Sequence, residues 1–320
     1  MSGKPRLISG DIASHVDRGD IIVFLLWHLG DVLNSTALFS ALAAKHNRNL
    51  AFATTEPCVP IVLNNPYLDK IFILDLKIPK QVSFAEWTSL QRLPEKYFPL
   101  HATVCNLHVP VNLRKVERHI LEIWAKSIGI DVPLSQLKPM FVAGNIHSQR
   151  IGYDSVFVVG NGGSNSRWRK CWPADRWNEF IETTKTRFPA LRFIQLGAAS
   201  DPSIDGVEDL RGKTTVDESY HLLKRARGCL TTDSFLAHFA AVAECPVFVI
   251  FGPTSPVHVR PLGNGDIFTV GGHRYCMPCS RNFCRLTLGL TPCFAFPSVK
   301  EVVAEVEMCL ARDRVAPARR

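Results

Sequence analysis

The sequence predicts an α/β protein of two domains, each with a parallel sheet, and three observations predict it. Continuous apolar runs of strand length alternate with segments of helical periodicity, the alternation lapses once near the middle and restarts, and Gly-bearing turns stand where strands hand over to helices. At 320 residues, 46% apolar and 21% charged, the chain can bury two ordinary cores, which excludes fibrous and disordered classes.

The first series opens with residues 20–27 (DIIVFLLW), a continuous apolar run that reads as a buried strand, followed by a Gly-containing turn and a helical pattern from Ser35 to His46. Strands follow over 50–55 and 70–75, separated by a short helix over 57–63 and the turn at Asn64, Asn65 and Pro66. A strand over 102–107 and an amphipathic helix from Arg114 to Ile128 complete the series. Residues 144–154 are polar and Gly-bearing, which sets the boundary between a domain over 1–147 and one over 148–320. The second series has strands over 155–160, 191–196, 228–231 and 246–251, with helices over 174–187, 216–226 and 235–244. A last helix runs from Ser298 to Ala311, apolar at Val299, Val302, Val303 and Val306. Two such halves are expected to face each other across a cleft.

The longest apolar runs, Ile21 to Trp27 and Pro246 to Phe251, fall short of the roughly eighteen residues a membrane-spanning helix needs. The N-terminal residues are charged where a signal peptide would be apolar, so the chain reads as soluble and cytoplasmic. Lys and Arg number 37 against 29 Asp and Glu, a formal charge of +8 that suits acidic ligands such as nucleotides or phosphorylated glycans. The basic residues are dispersed, with no aromatic-interleaved basic segment, which argues against nucleic acid as a partner. The basic tail Arg312 to Arg320 reads as a frayed terminus or as a peripheral contact with the inner face of a membrane.

Four strand-to-helix junctions carry candidate chemistry, because ligands in open α/β sheets bind beyond the carboxyl ends of strands. Asp31 follows the first strand and is either a catalytic carboxylate or a helix cap, and Gly30 before it allows the close approach of a bound donor. Residues 160–173 form a Gly- and Ser-rich loop containing Ser164, Asn165, Arg167, Arg169 and Lys170, whose backbone N–H groups and cations suit phosphate or whose exposure suits an ordinary connection. It matches neither the GxxxxGK[ST] nor the GxGxxG pattern, against a kinase or a dehydrogenase. Asp233 and Ser234 stand where a strand enters a helix, with His238 one turn on; anion binding competes there with an N-cap and a core histidine. The segment PheGlyProThrSerPro (251–256) is a turn of low specificity on its own.

Ten cysteines are present, and Cys276, Cys279, Cys284 and Cys293 crowd together as C-x2-C-x4-C-x8-C. Four thiolates at such spacing close a tetrahedral iron or zinc site, and the segment has too few apolar residues to order itself by burial. Reduced surface thiols are the alternative.

Taken in order, LeuGlyAspValLeuAsnSerThr (29–36), AsnAsnProTyrLeuAsp (64–69), LysCysTrpProAlaAspArgTrp (170–177), AspLeuArgGlyLysThrThrValAspGlu (209–218) and PheGlyProThrSerPro (251–256) resemble glycosyltransferase family 9, the ADP-heptose:lipopolysaccharide heptosyltransferases. The third matches the family's K-x-W-P-x-x-x-W, and Asp233, Ser234 and His238 match its D-[TS]-G-x-x-H, with Phe235 in place of the Gly. The loop before Lys170 is longer than usual for the family. The resemblance implies two Rossmann-like domains in the GT-B arrangement and an inverting transfer without a catalytic metal. It implies that Asp31 is the general base, that Lys170 holds the donor diphosphate, and that Asp233, Ser234 and His238 contact the donor. The Cys cluster resembles an iron-binding finger of family members that glycosylate autotransporter proteins. The implied donor is ADP-heptose and the acceptor a glycan or a protein. A degenerate member serving as a metal-stabilised binding or assembly module is the alternative, with Phe235 as the sign of a lost donor contact.

Overall fold

The computed structural model describes residues 4–26, 28–76, 89–109, 117–144, 155–162, 170–271, 276, 279 and 296–315. The chain separates into two compact units, one of Met1–Val111 with Arg118–Gly144, the other of Asn145–Arg320 with Asn112–Glu117.

The first unit holds a five-stranded sheet of β1 (Arg6–Ile8), β2 (Ile21–Phe24), β3 (Leu50–Thr54), β4 (Leu68–Ile73) and β5 (Thr103–Asn106), in the order β1-β4-β3-β2-β5. Every pairing is parallel, as the alternation of strands and helices requires. β2 and β3 are buried along their whole length, which is why they read as unbroken apolar runs. Helices α1 (Leu29–Ser35) and α2 (Phe39–His46) follow β2, joined by a 3-10 turn at Thr36–Leu38. The single helix expected over 35–46 is therefore two, and the first begins earlier, at Leu29. Between β3 and β4 lies α3 (Val59–Val62), and α4 (Pro94–Tyr97) precedes β5.

The helix expected from Arg114 begins at Ile120 (α5, Ile120–Ser127). His119 stops it with extended backbone and a reciprocal cap: its Nδ1 accepts the Leu121 N–H at 3.2 Å, and Glu122 accepts the His119 N–H at 2.9 Å. The core packs Phe98 against Phe24 and Phe72, with ring centroids 6.0 and 5.6 Å apart.

The second unit holds six parallel strands, β6 (Val156–Gly160), β7 (Arg192–Gln195), β8 (Glu208–Asp209), β9 (Gly228–Thr232), β10 (Val247–Phe251) and β11 (Ile267–Gly271), in the order β11-β10-β9-β6-β7-β8. Its helices are α6 (Ala174–Arg187), α7 (Val216–Arg225), α8 (Phe235–Val242), α9 (Pro256–Val259) and α10 (Val299–Val315). Phe157, Phe180, Phe193 and Phe248 fill the core, and α10 adds Val302 and Val306. β1, β8 and β11 were not expected: two or three residues, or a half-exposed run, carry no periodicity, and pairing to a neighbour makes them strands. Among the described residues no helix is long and apolar enough to cross a membrane.

Candidate functional site

In the second unit β7 and β8 lie to one side of β6 and β9 to β11 to the other, so the strand order reverses between β6 and β9. A crevice opens at such a reversal, beyond the carboxyl ends of the two strands. Lys170 arrives there from the β6 side and Asp233 directly after β9, and Lys170 Nζ meets Asp233 Oδ2 at 2.7 Å with the side chains 16% and 7% exposed. Burial alone would raise the Asp233 pKa. The Lys170 charge and hydrogen bond, the Thr254 hydroxyl and the charge of His238 outweigh it, and the pKa falls below the ordinary carboxylate value.

Asn161 places Lys170. Its side-chain oxygen accepts the Trp172 N–H at 2.8 Å and its amide donates to the Trp172 carbonyl at 3.0 Å, so the buried residue ties together the two ends of the loop after β6. Thr232 Oγ1 adds a bond to the Gly162 carbonyl at 2.6 Å. Below Lys170 the two tryptophans of its motif, Trp172 and Trp177, are buried edge to face at 5.2 Å. Gly160 lets α8 approach, because a Cβ there would lie 2.4 Å from Leu236 Cδ2. The sequence reading missed Asn161; its signal was one amide between two glycines at a strand end.

Asp233 is not the N-cap of α8. That position belongs to Ser234, in extended backbone at φ −152°, whose hydroxyl lies 3.2 Å from Thr231 Oγ1 and makes no cap bond. The Asp233 carboxylate is taken by Lys170 instead. His238 is buried, as a core histidine would be, and still within electrostatic reach of Asp233. The Phe235 ring stacks on Phe239 at 4.8 Å, and Phe239 in turn lies 5.7 Å from Tyr220, so the ring is packed along α7 and α8. Cys171, beside Lys170, is a thiol pushed up to about 11 by burial, with Asp201 adding and Lys170 opposing. Ser164, Asn165, Arg167 and Arg169 lie outside the described residues.

In the first unit the order reverses between β2 and β5. Asp31 stands in the first turn of α1, half-buried, with Gly30 beside it in helical backbone. The N-cap is His28, so the cap reading of Asp31 is corrected; a carboxylate in the first turn still meets the positive end of the helix. Asp31 raises the pKa of buried Cys58, whose shift comes first from burial.

Of the four clustered cysteines, Cys276 and Cys279 are half-buried, and the Cys279 N–H donates to the Pro253 carbonyl at 2.8 Å, fastening the segment to the turn after β10. Cys284 and Cys293 lie outside the described residues. Among the described residues no group of three or more His, Cys, Asp or Glu is arranged to hold a metal.

The model of glycosyltransferase family 9 (heptosyltransferase) matches residues 99–288, more than half of the chain. The chain belongs to this family. Asp31 precedes the matched residues, whereas Lys170, Asp233 and the Cys segment up to Cys284 fall inside them. Lipopolysaccharide heptosyltransferase 1 of Salmonella typhimurium is 26% identical over 167 residues, covering 50% of this chain and 51% of that one. The chain thus spans about half the length of this curated relative. The family 9 glycosyl transferase of Veillonella parvula superposes with a TM-score of 0.66 at 15% identity, over 95% of this chain and 99% of that one. TibC from enterotoxigenic E. coli, an iron-containing dodecameric glycosyltransferase also solved with ADP-D-beta-D-heptose, superposes with a TM-score of 0.66 at 16% identity, over 94% and 81%. At these identities the likeness shows the fold, which is GT-B.

Proposed function

We propose that this family 9 chain is an inverting glycosyltransferase that moves a heptose or related sugar from an ADP-sugar to a hydroxyl of a glycan or protein. The observation that carries the reading is the buried Lys170–Asp233 pair at the strand-order reversal of the second unit, where a fixed cation stands beside the N-terminus of α8. A leaving diphosphate gains negative charge as the glycosidic bond breaks, and a preorganised cation with helix N–H groups stabilises it. Asp233 keeps that cation aimed before substrate arrives. Asp31 is the general base: it takes the proton of the acceptor hydroxyl, whose oxygen attacks the anomeric carbon opposite the diphosphate, and ADP departs with the electrons of the broken C–O bond. Lys170 supplies the positive charge of this step, so the reading assigns no metal to catalysis.

Cys276, Cys279, Cys284 and Cys293 are proposed to hold one iron or zinc ion in a structural role, since four thiolates leave no open position. The anchored Cys279 fits a finger rooted on the turn after β10. Elemental analysis of protein purified without chelator should give close to one equivalent, and Cys279→Ser should lower it.

The decisive test incubates the purified chain with ADP-heptose, follows ADP release and determines the anomeric configuration of the product. Donor consumption with inversion supports the reading. ADP binding without consumption, in the presence of candidate acceptors, points to the degenerate binding module instead.

A further inference from the structure

β2 ends at Phe24, and the chain must then turn into α1, which presents Asp31. The peptide in between is gripped from both neighbouring strands. On the β5 side, the Leu26 N–H donates to His108 Nε2 at 3.4 Å. On the β3 side, Thr55 Oγ1 donates to the Leu26 carbonyl at 2.8 Å. One residue earlier the backbone is still in the sheet, with the Leu25 N–H on the Ala53 carbonyl at 3.1 Å and the Leu107 N–H on the Phe24 carbonyl at 3.1 Å. Leu26 is thus held from both sides just beyond the end of β2.

The hydrogen bonds of the imidazole set its tautomer. An N–H of Leu26 can only donate, so Nε2 must carry a lone pair, and Nδ1 then carries the proton and donates to Asn106 Oδ1 at 2.9 Å. Asn106 is itself oriented, because its amide donates to the Gln91 carbonyl at 3.2 Å and its oxygen also accepts the His108 N–H at 3.0 Å. The ring is buried against Phe24, centroids 5.4 Å apart, and burial lowers its pKa to about 4, so it stays neutral.

Downstream of Leu26 the backbone is under load. His28 adopts φ 47°, ψ 123°, outside the left-handed well a non-Gly residue tolerates, and its carbonyl accepts the first helical bond, from the Val32 N–H at 3.0 Å. Such a conformation costs about 1–3 kcal/mol and persists only when its surroundings hold it. Helix α1 holds it from one side and the Leu26 grip from the other.

We propose that His108 and Thr55 are positioning residues that clamp Leu26 by its backbone N–H and carbonyl and thereby fix where Asp31 is presented. The clamp sits where the strand order reverses, with His108 following β5, Thr55 following β3 and Asp31 following β2. Loss of the clamp lets the turn relax toward ordinary backbone angles and carries Asp31 with it; a displacement of about 1 Å at a reacting group can cost on the order of 10²-fold in rate. The proposal rests on the reading of Asp31 as the base.

The test combines kinetics with a direct probe of Asp31. ADP release from ADP-heptose is measured for the full chain and its variants, and Asp-selective 13C labelling follows the Asp31 carboxyl resonance, assigned as the signal missing in Asp31→Asn. We expect His108→Leu to lower turnover about 10- to 100-fold with donor KM unchanged, and to shift the Asp31 resonance. His108→Gln, whose amide can both accept from Leu26 and donate to Asn106, should restore most of both. Thr55→Val, nearly isosteric, should shift the resonance in the same sense, and it decides the matter should His108→Leu not fold. An Asp31 resonance unmoved in Thr55→Val and in every folded His108 variant, with turnover at the parent level, would overturn the clamp. Full turnover in Asp31→Asn with the resonance still shifted in Thr55→Val would instead overturn the base assignment and leave the clamp standing.

Discussion

At the carboxyl edge of the first sheet the chain is held by neutral groups, the His108 imidazole and the Thr55 hydroxyl on the backbone of Leu26, while at the same edge of the second sheet it is held by a buried ion pair, Lys170 with Asp233. Both devices stand where strand order reverses. On the proposed function, the difference follows from what each edge would meet. A carboxylate that must accept a proton is best presented by partners that add no charge, because a cation fixed nearby would stabilise its ionised form and weaken it as a base. A polyanionic leaving group needs a cation already in place, and a buried cation needs a counter-charge until the ligand arrives. On the proposed function, a diphosphate entering the second edge would compete with Asp233 for Lys170.

The largest expected effect tests the first edge. Asp31→Ala should lower transfer by about 10²–10⁴ while leaving ADP affinity, read by calorimetry, unchanged. Full turnover would reduce Asp31 to an acid that suits a helix start.

At the second edge Lys170→Ala should weaken ADP binding and also destabilise the fold by roughly 3–5 kcal/mol, since it strands Asp233 in the interior. Lys170→Met combined with Asp233→Leu should recover the melting temperature but not the affinity, which separates the two roles. Affinity that survives both changes would make the pair purely structural.

Acid should loosen the two edges in different windows. His108 has a folded pKa lowered from 6.5 to about 4, so its neutral form contributes full stability above 6.5; the contribution is lost as pH falls from there toward 4, when the unfolded chain binds a proton that the folded chain does not. The loss is at most on the order of 3 kcal/mol. Asp233 is depressed below 3.8, so its contribution is present above 3.8 and lost only as pH falls through its lower folded value. Thermal melts between pH 7 and pH 3 should show the first loss in the parent and a flatter slope in His108→Gln. An equal slope in both would remove His108 from the account.

The smallest effect concerns Phe235. Its ring is packed on Phe239, so Phe235→Ala should cost about 0.5–1.5 kcal/mol for the ring pair, in addition to the apolar area uncovered, and change ADP affinity less than about twofold. A marked gain in affinity would mean that the ring shields a backbone contact to phosphate.

Much of the architecture was legible because it is local. The runs over 155–160 and 246–251 are buried on both faces and lie within a residue of β6 and β10, and the helix over 174–187 has the bounds of α6. The Thr215–Glu218 cap that starts α7 is equally a matter of neighbouring residues, Thr215 Oγ1 accepting the Glu218 N–H at 3.2 Å and Glu218 accepting the Thr215 N–H at 2.7 Å. The resemblance of five ordered motifs was enough to point to family 9, and the match over 99–288 bears that out. The helix start at Ile120 was misplaced because an apolar pattern does not mark its own end, and a histidine is an unusual cap.

What the sequence determined by itself was therefore the alternation of strand and helix, the family, and the residue types gathered at strand ends. Only the tertiary structure decided which of them meet. Lys170 and Asp233 are 63 positions apart, and Leu26 and His108 are 82 apart. Periodicity reports how a residue relates to its own element. Partnership across a sheet depends on strand order, and here β5 was laid beside β2, and β9 beside β6, by chain reversals that no local pattern encodes. The short strands β1, β8 and β11 belong to the same class, because each is defined by pairing to a neighbouring strand and becomes a strand only once the sheet has formed.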